Sequence, residues 1–296
     1  MQPIKWSSVA ALLALCVCIW PNGAAAQTEL VLQAAPVPII TVQIDGMSVN
    51  LEVDTQSPEG VVMINSATAR RLGLRPAIFG RLRVGVDGSE TELNGRVARP
   101  SITLPDGHEV RAVVGIFGVP VSSRADGVIG VDTLPYEAVT IVLGETAPAE
   151  RTIVLPTLNP GSWRARAQVN GRDYVIGLHL ERGATVFNRR ASALLDEAGL
   201  LHADGALVEG TAILGLTTTM QPVRTDLRIE GLALGTTLAR INGPLLGAIE
   251  EDALIVTATA PTPSEPAVFL GREALSRCSS ITSSRSERTL TLRCGN

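Results

Sequence analysis

Leu51-Glu52-Val53-Asp54-Thr55-Gln56-Ser57 ends an apolar, β-type run in a lone carboxylate followed by small polar residues. A helical pattern then starts at Ser66-Ala67-Thr68-Ala69-Arg70-Arg71-Leu72, with Gly73 placed where a glycine follows a last helical turn. Strand, acidic turn and short helix together display a candidate catalytic aspartate, Asp54, at a strand end. Such chemistry needs a second carboxylate to meet it, so the order of signals beyond this stretch decides the reading.

Working outward, Val37 to Ile44 is a β-branched run, Asp45-Gly46 reads as a hairpin turn, and Ser48 to Val53 as the return strand. Strand signals continue through Leu82 to Val86, Val110 to Phe117 and Val139 to Leu143. The run from Asp126 to Leu134 is cut by Gly127 and Gly130, which points to backbone packed closely on backbone. Residues 144–161 carry Gly, Pro and Ala and read as a connection, after which the signals recur. Asn170-Gly171 is a hairpin turn, Tyr174 to Leu180 a return strand, Glu181-Arg182-Gly183-Ala184 a turn, and Ser192 to Gly199 a helix. Asp54 to Glu181 spans 127 residues, Gly73 to Gly199 spans 126, and Gly130 to Gly271 spans 141. Steady offsets predict an internal duplication, with the excess in an exposed insertion over Ala258 to Glu265.

Two β-rich units, each with an acidic turn after a hairpin, resemble the retropepsin-like aspartic peptidases of the pepsin clan, bacterial periplasmic type. Val53-Asp54-Thr55-Gln56-Ser57 is similar to the family's apolar-Asp-Thr-Gly-Ser turn except at Gln56. Leu180-Glu181-Arg182-Gly183-Ala184 is similar to it except at the Asp and the Thr. The later apolar-Gly-x-Asp-x-Leu element is matched by Ile129-Gly130-Val131-Asp132-Thr133-Leu134 and, with Glu for Asp, by Leu270-Gly271-Arg272-Glu273-Ala274-Leu275. The resemblance implies an all-β fold of two acid-protease β-barrel lobes in tandem, residues 37–144 and 162–296, joined by a linker at 145–161. It implies a pseudo-dimer with one carboxyl from each lobe, Asp54 and a degenerate Glu181, and Thr55 tying the two turns together. It also places a substrate-covering hairpin around Gly85 and Gly88, with a counterpart at Gly215.

The class hydrolyses peptides with two carboxyls that share one proton, because both cannot ionise at contact distance. The ionised acid activates water and the protonated one donates to the scissile carbonyl. Departures from the pattern bear on this chemistry. Gln56 puts a side chain where the family has glycine, which implies strain of about 1–3 kcal/mol. Arg182 introduces a cation that would lower the pKa of a neighbouring carboxyl. The expected function is therefore an extended-peptide binder whose endopeptidase activity is impaired or lost. The alternatives are a non-catalytic peptide-binding or regulatory module, or an envelope structural protein.

Composition limits the other classes. Aromatics are only 3% against 45% hydrophobic residues, so Val, Leu, Ile and Ala must build the core. The start of the chain reads as a signal peptide over residues 1–26, with Lys5, an apolar run from Val9 to Ile19 and Ala24-Ala25-Ala26. Its removal would leave no membrane span, 24 arginines against 29 acids and a net charge of 24 − 29 = −5. Arginines scattered among acids disfavour nucleic acid. Cys278 and Cys294 remain as an even pair suited to an oxidising compartment, and the intervening segment reads as a hairpin that a disulfide would close. Three histidines without ligand spacing argue against a metal, and no cofactor is implied. The expected location is periplasmic or secreted, and with both lobes in one chain the expected state is a monomer.

Overall fold

The two hairpin turns anticipated above form in the same way. In the computed structural model, Ile39–Ile44 pairs antiparallel with Met47–Asp54 across Asp45 and Gly46, whose φ angles are 48° and 78°. Ala165–Val169 pairs with Arg172–His179 across Asn170 and Gly171, at 50° and 71°. Positive φ at both central residues is what a type I′ turn demands, and Asp-Gly and Asn-Gly supply it most readily. The structure describes residues 29–34, 37–57, 59–78, 80–85, 92–145, 150–211, 214, 216–240 and 265–295. The expected signal peptide, Gly88, Gly215 and most of the insertion at 258–265 lie outside the described residues.

Among the described residues strand makes up 51% and helix 8%, so they are mostly β, with several sheets and few helices. In the first half, Met47–Asp54 runs parallel to Gly127–Gly130, which pairs antiparallel with Val61–Ile64. That strand in turn runs parallel to Val113–Phe117, itself antiparallel to Leu93–Ala98. The second half repeats each relationship. Arg172–His179 is parallel to Ala267–Gly271, which is antiparallel to Thr185–Phe187. Thr185–Phe187 is parallel to Thr237–Arg240, and the latter is antiparallel to Thr217–Arg224. The same strand order with the same directions is thus present twice.

Glycines permit the close crossings this order requires. A Cβ on Gly127 would lie 2.3 Å from the Met63 carbonyl oxygen, and one on Gly271 would lie 2.2 Å from that of Gly183. Each half places a helix after its acidic-turn region, α1 (Ser66–Arg71) and α2 (Arg189–Glu197), with α3 (Arg272–Leu275) near the end of the chain. Asn188 caps α2 by accepting from the Ala191 N–H at 2.8 Å. Gly73 and Gly199 follow α1 and α2 with φ of 62° and 68°, as expected for glycines past a last turn.

The connection is more than a tether. Its strand Glu150–Pro156 lies at one edge of a five-stranded sheet. Glu29–Gln33 forms the other edge, with Ala138–Val142, Cys278–Ser284 and Thr289–Gly295 between. Every second residue of this sheet points into the core, including Ile141, Ile153, Leu155, Ile281, Leu290 and Leu292. The Cys278–Cys294 disulfide joins neighbouring strands of the same sheet. The main buried cluster takes residues from both halves, with Trp163 fully enclosed. Among the described residues, no helix is long and apolar enough to cross a membrane.

Candidate functional site

Alternation along Met47–Asp54 sends Val49, Leu51 and Val53 into the core. Glu52 and Asp54 have the other parity and project together toward a cavity of about 310 Å³ between the halves. Glu52 is only 2% exposed. Asp54 ends the strand opposite Gly130, in the register that continues from Val53 opposite Ile129. Its carboxyl is satisfied within its own turn. Oδ1 accepts from the Gln56 N–H at 2.9 Å and Oδ2 from the Ser57 hydroxyl at 2.6 Å. Burial raises its pKa, against the pull of those two donors.

The turn is fastened to the other half. The Thr55 hydroxyl and the Gln56 side-chain amide both donate to the Leu178 carbonyl, each at 2.6 Å. Thr55 thus joins its turn to a strand of the other half, at the residue before His179. Gln56 does not bring the strain expected from replacing glycine, because it is not among the described residues with left-handed φ. Its amide instead lies over Gly177, where a Cβ would come within 3.1 Å of Nε2.

Leu178 precedes His179, and here the expected correspondence must be corrected. His179 pairs with Gly271 as Asp54 pairs with Gly130, so strand register makes His179, and not Glu181, the counterpart of Asp54. The ring lies 5.4 Å from that of Phe269. Burial, with the Arg182 and Arg240 charges, holds its pKa well below the ordinary histidine value and keeps it neutral. Leu180 occupies the position equivalent to Thr55 and has no hydroxyl with which to return the tie.

Glu181 does reach the cavity, where it meets Glu52 as well as lying near Asp54. Arg124 bridges the two glutamates. Its Nη2 contacts Glu52 Oε1 closely and lies 3.2 Å from Glu181 Oε1. Loss of water, the hydrogen bond with Glu52 and the neighbouring Glu52 and Asp54 charges push Glu181 up to about 8, against Arg124. The Glu181 side chain is 46% exposed, so water screens part of this push and its direction carries the argument. For Glu52, burial opposes ionisation, but hydrogen bonds with Glu181, Arg124 and Ser122 outweigh it and hold the pKa below the usual value. The two carboxyls that shift each other in opposite directions at this site are therefore Glu52, held down, and Glu181, pushed up. The lowering expected from Arg182 does not decide the outcome at Glu181, where burial first and the Glu52 carboxyl second raise the pKa.

The loop that carries Arg124 is built on Asn65, the residue before α1. Asn65 Oδ1 accepts from the Val121 N–H at 2.8 Å, and Nδ2 donates to the carbonyls of Ser122 at 3.0 Å and Ala125 at 2.9 Å. Ser122 then donates its hydroxyl to Glu52 Oε2 at 2.8 Å. Another acid, the half-buried Asp132, lies in the Gly-x-Asp turn, where Oδ1 accepts from the Trp163 N–H at 3.0 Å. Burial raises it to about 7 despite Arg164.

Gly85 follows the strand Arg81–Val84, whose pairing with Leu93–Ala98 makes the expected hairpin, but Gly85 does not line the cavity. An apolar cluster that includes Val61, Met63, Leu82, Val97, Phe117 and Val128 lies beside Asp54, and Met63 and Val128 also line the cavity. Leu214 and Leu216 of the second half complete this cluster. Glu52 and Arg124 escaped the sequence reading, whereas the two leucines flank Gly215 in the segment expected to mirror the covering hairpin. Of the two missed residues only Glu52 had a signal, its position two residues before Asp54 on an alternating strand. Among the described residues no group of three His, Cys, Asp or Glu side chains is placed to hold a metal.

Compared with known protein families the chain matches none, and no curated protein matches it either.

Proposed function

We propose that this protein is a retropepsin-like protein of the envelope that binds an extended peptide in the cleft between its halves and does not hydrolyse it by a paired-carboxyl mechanism. The reading rests on one relationship, neutral His179 at the strand position that answers Asp54. Peptide hydrolysis of this type needs two carboxyls sharing a proton over one water. The other two acids of the cavity, Glu52 and Glu181, are bridged by Arg124, and Glu52 is closed off from a substrate. The repeated strand order and the Thr55 tie support the retropepsin-like assignment, with the two halves as its lobes. A cleft bounded by sheet ends suits an extended ligand, which pairs through its backbone and is selected by pockets for alternate side chains. The Cys278–Cys294 disulfide supports an oxidising, periplasmic or secreted setting for a single-chain monomer.

The test is a mixed peptide library presented to the wild-type protein and to Asp54→Asn between pH 4 and 8, with capture and cleavage both measured. Capture without cleavage by either protein is the expected result. Cleavage that disappears in Asp54→Asn would overturn the non-hydrolytic assignment, and failure to capture any peptide would overturn the binding assignment.

A further inference from the structure

Arg124 is fixed from behind. Its backbone N–H and that of Ala125 donate to the Ser122 hydroxyl at 3.1 and 3.0 Å, and the same hydroxyl donates onward to Glu52. The guanidinium that this loop carries lines the cavity beside Asp54 and is 41% exposed. Both of its carboxylate contacts, to Glu52 and to Glu181, use Nη2, one corner of a five-donor fork. A second guanidinium, that of Arg182, lines the same cavity from the other half. Burial works against the Arg182 charge, while Glu181 and Asp54 support it.

The two partners of Arg124 are unequal. Glu52 is buried and held in its ionised form. Glu181 is about half exposed, and burial together with the Glu52 and Asp54 charges favours its protonated form. A carboxyl that favours its neutral form is a weak partner for a guanidinium, whereas an ionised one makes the full charge-assisted contact. Burial shifts Asp54 in the same direction as Glu181. With Arg124 and Arg182 both charged, the lining of the cavity leans toward positive charge at neutral pH.

We infer that the cleft holds its peptide by a carboxylate, which takes the place of Glu181 on Arg124 with Arg182 alongside. The inference rests on the peptide-binding reading and names the ligand class within it. A carboxylate is planar and two-pronged, the shape that a guanidinium fork matches. Chain ends and acidic side chains both supply such a group. The charged and titratable groups around Glu181 are Glu52 and Asp54 from the strand Met47–Asp54, Arg124 from its loop, and His179 and Arg182 from its own segment. Arg272 of α3 lies behind them on the Leu180 carbonyl. Above about pH 8 Glu181 ionises, reclaims Arg124 and repels an incoming carboxylate.

The probes are dansyl pentapeptides in two pairs. Ala-Ala-Val-Ala-Ala ends in a free carboxyl in one member of the first pair and in an amide in the other. The second pair is amidated and carries Glu or Gln at its centre. In at least one pair the carboxylate should bind about tenfold more tightly than its uncharged match at pH 7. A gain in the first pair marks a chain end as the source, and a gain in the second an acidic side chain. Arg124→Met combined with Glu52→Gln, which leaves no buried glutamate charge without its cation, should abolish the gain, and cooperative thermal unfolding shows that it folds. In the wild type the gain should disappear by pH 9, where both probe carboxyls are still ionised, and Glu181→Gln should retain it there. Equal binding within both pairs, a gain that survives the loss of Arg124, or one that the wild type keeps at pH 9 would overturn the inference. Absence of binding by all four probes would overturn it too, and library capture beside that result would leave the peptide-binding reading standing. Absence of library capture would remove that reading as well.

Discussion

The hydroxyl of Thr55 donates to the carbonyl of Leu178 across 123 residues of sequence, at 2.6 Å and out of contact with water. The turn that presents Asp54 is thereby fixed to the strand that ends in His179. Gln56 donates to the same oxygen, so two side chains of one turn converge on a single acceptor.

Thr55→Val keeps the shape and removes one of these donors. It should destabilise the fold by about 1 kcal/mol, the usual net worth of such a bond. Gln56→Ala should do the same on its own. The double variant should lose more than the sum, because the buried carbonyl then loses both side-chain donors. Urea unfolding of the four proteins measures the coupling, and strict additivity would contradict the shared-acceptor arrangement.

Two acids with raised pKa, Glu181 in the cavity and Asp132 in the Gly-x-Asp turn, give the pH dependence of stability a sign. Their folded pKa values are about 8 and about 7, above the ordinary values of 4.5 and 3.8. In that window the folded state binds more protons than the unfolded state, so stability falls as pH rises. Stability should be greatest on the acid side of this range and decline from about pH 5 to about pH 8. Glu52, with a lowered pKa, works the other way only below the ordinary value of 4.5. Glu181→Gln and Asp132→Asn should each flatten part of the slope, as read from denaturant midpoints at several pH values.

Arg124 is the single cation touching both Glu52 and Glu181 among the described ion pairs. Arg124→Met leaves Glu52 buried beside another carboxyl, and should cost about 1–3 kcal/mol. The lower part of the usual range applies because Arg124 is itself 41% exposed. Adding Glu52→Gln should recover part of the loss by removing the unpaired charge. No recovery would mean that the arginine acts only through packing.

Gly271→Ala is expected to be severe. Its Cβ would fall 2.2 Å from the Gly183 carbonyl oxygen and 2.3 Å from that of Ala184, both backbone atoms that cannot swing aside. A loss of about 3 kcal/mol or more follows from such overpacking. Gly144→Ala, with no atom within 4 Å of its added Cβ, is the matched control. Thermal unfolding of the two variants should differ widely.

Much of the architecture was readable because turns have local causes. Asp45-Gly46 and Asn170-Gly171 specify their hairpins through backbone sterics alone, and Gly73 and Gly199 mark helix ends in the same way. The same turns held the register of the site. They lie 125 residues apart, and 54 + 125 = 179 leads to His179. Matching acid to acid gave 127 and led to Glu181, a position two residues beyond the strand end. The fixed turn-to-strand distance, a matter of backbone geometry, decides the position over the match of acid to acid. The connecting segment was also underread, since its Thr152-Ile153-Val154-Leu155 run is β-branched and apolar despite the Gly, Pro and Ala around it. Arg124 lacked any local signal, because it acts on Glu181, far along the chain. The segment around Gly215 had one, but the packing of Leu216 on Val61 to Val128 is a long-range contact that no local pattern specifies.

The five-stranded sheet has a consequence for how the chain is made. Thr289–Gly295 lies between Cys278–Ser284 and Glu150–Pro156, so it bridges two strands that are synthesised before it. Until residues 289–295 leave the ribosome, Glu150–Pro156 lacks the neighbour that connects it to this sheet. The first half can pair its own strands during synthesis, but the joint with the second half closes only after translation has passed residue 295. Up to that point a nascent chain of this design stays open at the joint, and so open to being threaded elsewhere.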